Sequence, residues 1–209
     1  RTLGEQGVGL VFATSHYIPH RESPASFLAR RAQAAETLKA VAAGTPPVRL
    51  GAEIYLEQAL PEKGLEPLCL EGTRLLLVEM PRQSYKPWMM EKIQNIAYGM
   101  RVTPVIAHVE RYRNLMERKF AAIQWMREIG ALIQVNCASV TGDNGFTTKQ
   151  NVKSLLKNGL VDFVSTDAHR PEGRAPYIEK CAELLRRKYG DIYAAELTGG
   201  NARRFLAHN

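Results

Sequence analysis

Three features of this 209-residue chain predict an α/β fold whose parallel sheet curves toward a barrel. Apolar runs alternate with amphipathic segments from end to end, the order that joins parallel strands through crossover helices. Imidazoles and carboxylates stand at the ends of nearly all the apolar runs, not at a single crevice, which favours a barrel over an open doubly wound sheet. The chain has no GxGxxG or GxxxxGKS/T phosphate loop, which disfavours the nucleotide-binding open-sheet folds.

The elements follow in order. Residues 1–7 read as the last turns of a helix stopped at Gly7, because glycine accepts the left-handed conformation that ends helices. Residues 8–14 read as a strand leading to His16. A helix that opens in mid-turn implies a strand and most of a helix before Arg1, so the expectation is one barrel domain over 1–209, N-terminally incomplete and lacking its first strand. Ser23 and Pro24 open a helix, by N-cap and early proline, that runs to about residue 43. Residues 48–55 form a strand with Glu53 inside it, and 74–81 form another, closing near Glu79. A helix over 87–100 precedes the strand 103–107, after which come His108 and Arg111. Residues 119–129 are helical up to Gly130, 131–135 extended, and 149–158 helical up to Gly159. The run from Val161 to Thr166 is a strand tipped by Asp167-Ala168-His169. Helices over 177–189 and 202–207 close the chain.

Composition narrows the function classes. The 45% hydrophobic and 23% charged fractions are those of an ordinary globular protein, and no window reaches the ~18 apolar residues of a membrane span. Neither a signal nor a transit peptide opens the chain. Three widely spaced cysteines argue against a disulfide framework and for a cytoplasmic setting, and the lack of CxxC removes zinc-ribbon chemistry. The formal charge is +7, yet basic residues interleave with acids along helices, which disfavours nucleic acid. Steering of an anionic substrate and a merely solvated basic surface both fit that charge.

The strand ends carry His16, Glu53, Glu79, His108 with Arg111, and Asp167 with His169. Taken singly, each has a structural reading: a hydrogen-bonded histidine, a salt-bridging Glu79, a capping Asp167. Together they suit a first-row divalent ion such as Mn, Fe, Zn or Co, and the lack of thiolates speaks against a closed structural zinc site. Several carboxylates allow one to bridge two ions, as in multinuclear phosphoesterases, and Arg111 offers the planar fork that receives a phosphate. His20 reads as a rim residue, His208 as terminal, and Glu57 and Glu71 as solvated. Cys137 has no CxxxxxR phosphate loop around it and reads as a small residue of the pocket wall.

The stretches Ala13-Thr14-Ser15-His16, Gly51-Ala52-Glu53-Ile54-Tyr55, Leu77-Val78-Glu79-Met80-Pro81, Ile106-Ala107-His108-Val109-Glu110-Arg111-Tyr112 and Ser165-Thr166-Asp167-Ala168-His169 resemble one family. They are similar to the polymerase-and-histidinol-phosphatase (PHP) superfamily, specifically the manganese-dependent bacterial protein-tyrosine phosphatases of capsule and exopolysaccharide loci. The resemblance implies a distorted (β/α)7 TIM-like barrel with two or three divalent ions, Mn2+ first, with Mg2+, Co2+, Fe or Zn2+ as alternatives. It implies His16, Glu53, Glu79, His108, Asp167 and His169 as ligands, with Glu79 as the bridge. It implies Arg111 and Arg174 as phosphate-binding arginines, and Asp167 or a histidine as the proton donor to the leaving phenolate. The implied partner is the phosphotyrosine tail of a bacterial tyrosine autokinase in the cytoplasm, without nucleic acid or membrane insertion; the oligomeric state stays open. The alternatives are a small-molecule phosphomonoesterase such as a histidinol-phosphate phosphatase, and a non-catalytic barrel that binds phosphoproteins. One departure stands out: the family opens on a strand bearing a His-x-His pair and a nearby acidic residue, and residues 1–209 contain neither.

Overall fold

The structure, a computed structural model, describes residues 1–61, 63–82, 86–170 and 176–207. A short helix α1 (Thr2–Glu5) leads into β1 (Val11–Tyr17), α2 (Pro24–Lys39), β2 (Val48–Tyr55), β3 (Leu75–Glu79), α3 (Pro87–Gly99) and β4 (Thr103–Ile106). The second half holds α4 (Ala121–Glu128), β5 (Leu132–Asn136), α5 (Cys137–Thr141), α6 (Phe146–Lys157), β6 (Phe163–Ser165), α7 (Ile178–Tyr189), α8 (Asp191–Ala195) and α9 (Asn201–Ala207). The six strands lie in sequence order, all parallel, and curve into a half-barrel. Among the described residues β1 and β6 are its two margins, each paired on one side.

Local signals explain the main helices. The Ser23 Oγ accepts the Ser26 N–H at 3.2 Å with Pro24 in the first turn, as an N-cap and a preset φ require. The helix after β3 likewise starts on Pro87 and buries Met89, Met90, Ile93 and Ile96. From α6, Val152, Leu155 and Leu156 enter the core. The i, i+3, i+4 spacing of these side chains gives each helix one apolar stripe to lay against the sheet.

Several boundaries differ from the sequence expectation. The first strand runs on to Tyr17, so His16 lies within it, opposite Glu53. Hydrophobicity alone ended that strand at Thr14, but pairing with Val48–Tyr55 carries it through Ser15 and His16. α2 stops at Lys39. Left-handed φ at Arg118, Lys119 and Phe120 delays α4 to Ala121, with three 3-10 turns between 109 and 120. Helices α5 and α8 were not foreseen; each is only five residues long, too short for a periodic pattern to register.

Inside the curve of the sheet lies a cavity of about 590 Å3. Its lower wall is apolar, with Val11, Phe12, Leu75, Leu77, Val105 and Phe163, while His16, Glu53, His108, Asp167 and His169 line its upper part. Gly51 leaves the space that Leu70 fills below Glu53: a Cβ there would stand 2.6 Å from the Leu70 Cδ2. Floor and rim are thus successive levels of the same strands, apolar where each strand begins and polar near its C-terminal end.

Candidate metal centre

Parallel pairing assembles the rim. The register His16↔Glu53 and Tyr55↔Glu79 brings the first three candidate ligands to one end of the sheet, and His108 stands two residues past the end of β4. Ligating atoms of Glu53, Glu79 and His108 all lie within 4.8 Å of one another. The His108 Nε2 is 3.0 Å from the Glu53 Oε1 and 3.7 Å from the Glu79 Oε1. The His16 Nε2 approaches the Glu53 Oε2 and the Glu79 Oε2 at 3.8 Å each. Glu53 and His108 are buried, whereas His16 opens to solvent. Two carboxylates and two imidazoles converging without a thiolate form a donor set that fits a first-row divalent ion.

The second half of the rim stands on β6. His16 and His169 meet edge-on with ring centroids 6.0 Å apart. The His169 Nδ1 lies 3.0 Å from the Asp167 carbonyl oxygen and 3.6 Å from its Oδ1. The Arg111 Nη2 contacts the Asp167 Oδ2 at 3.0 Å, and the Asn136 Nδ2 donates to the same oxygen at 2.8 Å. The structure thus brings together His16, Glu53, Glu79, His108, Arg111, Asp167 and His169. Arg174 lies outside the described residues, as does His208.

His108 and Asp167 share a backbone feature that the sequence did not announce. Their φ angles are +36° and +48°, in the left-handed region that costs a non-glycine residue on the order of 1–3 kcal/mol. Strain of this kind persists only where surroundings enforce it. Around His108 they do. The Gln134 Oε1 accepts its backbone N–H at 2.5 Å. The Tyr112 Oη lies 3.2 Å from its Nδ1 and accepts the Met80 N–H at 3.1 Å, which turns the other ring nitrogen toward the carboxylates. Burial pushes the Tyr112 hydroxyl far above the ordinary phenol range, so it stays protonated.

Glu110 is buried beneath this shell. Its Oε1 accepts from the Ser139 Oγ at 2.6 Å and from the Asn136 N–H at 3.2 Å, while its Oε2 has no hydrogen-bond partner among the described residues. Burial raises its carboxyl above the ordinary range, against the pull of those two donors. Gln134, Asn136, Tyr112 and Glu110 escaped the sequence reading. Gln134 and Asn136 did leave a sign: two amides at alternate positions of an otherwise apolar, buried strand.

Other expectations need correction. Glu57 is not solvated: its Oε1 and Oε2 take the backbone N–H and the Nδ1 of His20, both at 2.7 Å. Glu71, by contrast, is exposed as expected, and its Oε2 also accepts the Leu50 N–H at 2.9 Å beside β2. Cys137 is not in the pocket wall; it is fully buried beside Cys181, and that neighbour together with burial raises its thiol well above the ordinary range.

Comparison with known proteins agrees with this geometry. The tyrosine-protein phosphatase CpsB of Streptococcus pneumoniae is 28% identical over 214 residues, covering 96% of this chain and 85% of its own. The tyrosine-protein phosphatase YwqE of Bacillus subtilis is 28% identical, covering 95% and 78%. A chain from the crystal structures of those two proteins, solved as metal-dependent tyrosine phosphatases, superimposes with a TM-score of 0.84 at 23% identity, covering 99% of this chain and 84% of that one. The phosphotriesterase homology protein of Escherichia coli, with phosphate in its active site, shares the barrel at a TM-score of 0.54 and 12% identity, covering 98% and 86%. A family model described as capsular polysaccharide synthesis, CpsB/CapC, matches residues 1–207, and the chain belongs to that family.

Proposed function

We propose that this protein is a divalent-metal-dependent protein-tyrosine phosphatase that acts in the cytoplasm on the phosphotyrosine tail of a bacterial tyrosine autokinase and so regulates capsule or exopolysaccharide synthesis. The observation that carries the reading is the convergence of Glu53, Glu79 and His108 within 4.8 Å, with Arg111 on the same rim. Relatives named tyrosine-protein phosphatases support it, and no helix among the described residues is long and apolar enough to cross a membrane.

Glu53, Glu79, His108 and His16 would hold one ion, and Asp167 and His169 would take part in a second position, with Mn2+ first among the first-row ions that this mixed oxygen-and-imidazole set accepts. A divalent ion bound there supplies an activated water at neutral pH and charge neutralisation at the phosphoryl oxygens. The remaining work falls to the protein. Arg111, paired with Asp167 at 3.0 Å, would receive phosphoryl oxygens with its planar fork, and Arg174 would add a second guanidinium. Asp167 or a neighbouring histidine would hand a proton to the departing phenolate. The net charge of +7 would steer an acidic phosphopeptide toward the protein.

The test is hydrolysis of a phosphotyrosine peptide by chelated protein, before and after addition of Mn2+. Activity that returns with the metal is expected, at a rate well above that for histidinol phosphate. Preference for histidinol phosphate would make the protein a small-molecule phosphatase. Phosphopeptide binding without turnover would make it a binding barrel.

A further inference from the structure

Gln134 lies on β5, between the strand that presents His108 and the strand that presents Asp167, and is buried. Its Oε1 accepts the His108 backbone N–H at 2.5 Å. Its Nε2 lies 2.8 Å from the Val135 carbonyl oxygen, 2.9 Å from the Asn136 Oδ1 and 2.7 Å from the Ser165 Oγ. The orientation of the amide is fixed by chemistry, because only its oxygen can face the His108 N–H. The polarity then propagates: Gln134 donates to the Asn136 Oδ1, which leaves the Asn136 Nδ2 to donate to the Asp167 Oδ2 at 2.8 Å.

Both residues that this amide reaches, one directly and one through Asn136, have left-handed backbones. β4 and β6 both pair with β5, but the pairing ends at Ile106 and at Ser165, two residues short of His108 and of Asp167, so the ladder does not hold those two backbones itself. We propose that Gln134 is the positioning residue of the metal centre, its amide clamping His108 on one side and, through Asn136, Asp167 on the other. It touches neither substrate nor metal. It ties the ends of two ligand-bearing strands together across the strand between them.

The kinetic consequence rests on the metallophosphatase reading; the structural one does not. Two variants separate the halves of the clamp. Gln134→Met removes the acceptor from the His108 N–H. Gln134→Glu keeps that acceptor but sets an oxygen against the Asn136 Oδ1, which would turn the Asn136 amide and take its donor from Asp167. In the full chain, hydrogen exchange of the His108 amide should speed up in Q134M and stay slow in Q134E. Both variants should weaken Mn2+ binding or lower kcat by roughly 10- to 100-fold, the range for residues that orient metal ligands, with KM for a phosphotyrosine peptide unmoved at saturating Mn2+. Should Q134M not fold, Q134E alone still decides through its metal affinity and kcat.

A slow His108 amide in folded Q134M, or wild-type metal affinity and kcat in Q134E, overturns the proposal. Wild-type protein without Mn2+-dependent turnover would defeat the phosphatase reading instead, and exchange at His108 would then judge Gln134 by itself.

Discussion

At the N-terminal end of the sheet, Asp162 accepts the Ile133 N–H at 2.9 Å and pairs with Arg127 at 3.1 Å, while Glu71 takes the Leu50 N–H. Each of these carboxylates has its own donors. At the C-terminal end, Glu53 and Glu79 face the same two imidazoles, and Arg111 and Asn136 share one oxygen of Asp167. The same strands thus carry both arrangements, one with charge settled by protein partners and one with acidic oxygens gathered around a common point. A barrel's lower end is where polar groups serve stability and its upper end where they serve chemistry. The difference is readable here in how many carboxylates converge on one spot.

The largest effect that this contrast predicts is on the upper end alone. A chelator should abolish phosphotyrosine hydrolysis, and Mn2+ should restore it, with the far-ultraviolet circular dichroism spectrum unchanged throughout. Loss of secondary structure on chelation would make the centre a folding site and blur the distinction between the two ends. Next comes Arg111→Ala, which should lower kcat by about 10²–10³, some 2.7–4 kcal/mol of barrier, if the guanidinium acts like other preorganised groups at a developing charge. Wild-type turnover in that variant would take Arg111 out of the reaction.

A smaller effect belongs to the lower end. Asp162→Ala leaves the Ile133 N–H without its acceptor and should cost about 1–3 kcal/mol of stability in urea unfolding. Its kcat, measured where the variant is folded, should match the wild type; a fall would show that the two ends are coupled.

The smallest effect is a pH dependence. Burial raises the Asp162 carboxyl above its ordinary 3.8, against Arg127 and the Ile133 N–H. A carboxyl raised by folding contributes stability that is complete below the unfolded value and lost as pH climbs through the folded one. Asp162→Asn keeps an acceptor for the Ile133 N–H but cannot ionise. The wild-type unfolding midpoint should therefore decline relative to the Asn variant as pH rises from below 3.8, then run parallel to it. Curves parallel from the start would mean that Arg127 fully offsets the burial.

Much of the upper end was legible because strands and their tips announce themselves. Val48–Tyr55 has its expected bounds, and the apolar runs by themselves point to His16, Glu53, Glu79, His108 and Asp167-Ala168-His169. What failed to show was conformation without a compositional mark. Left-handed backbone normally advertises itself as glycine, and at His108 and Asp167 it does not. Pairing across the sheet is equally silent, which is why the sequence puts His16 past its strand and Glu57 in solvent. Gln134 and Asn136 were visible as letters but not as partners, since their bonds join residues 26 to 31 positions away.

The burial of Cys137 and Cys181 has a consequence for how such an enzyme meets its surroundings. Cysteine-based phosphatases attack through an exposed thiolate, and peroxide or an alkylating reagent silences them at that atom. Here all three cysteines are buried, and burial holds the Cys69 thiol at about 11, so thiolate is scarce at neutral pH. A phosphatase built this way keeps its reactive chemistry off sulfur. It should go on working under an oxidative burst that would stop a thiol-dependent counterpart, with metal supply rather than redox state as the condition that turns it off.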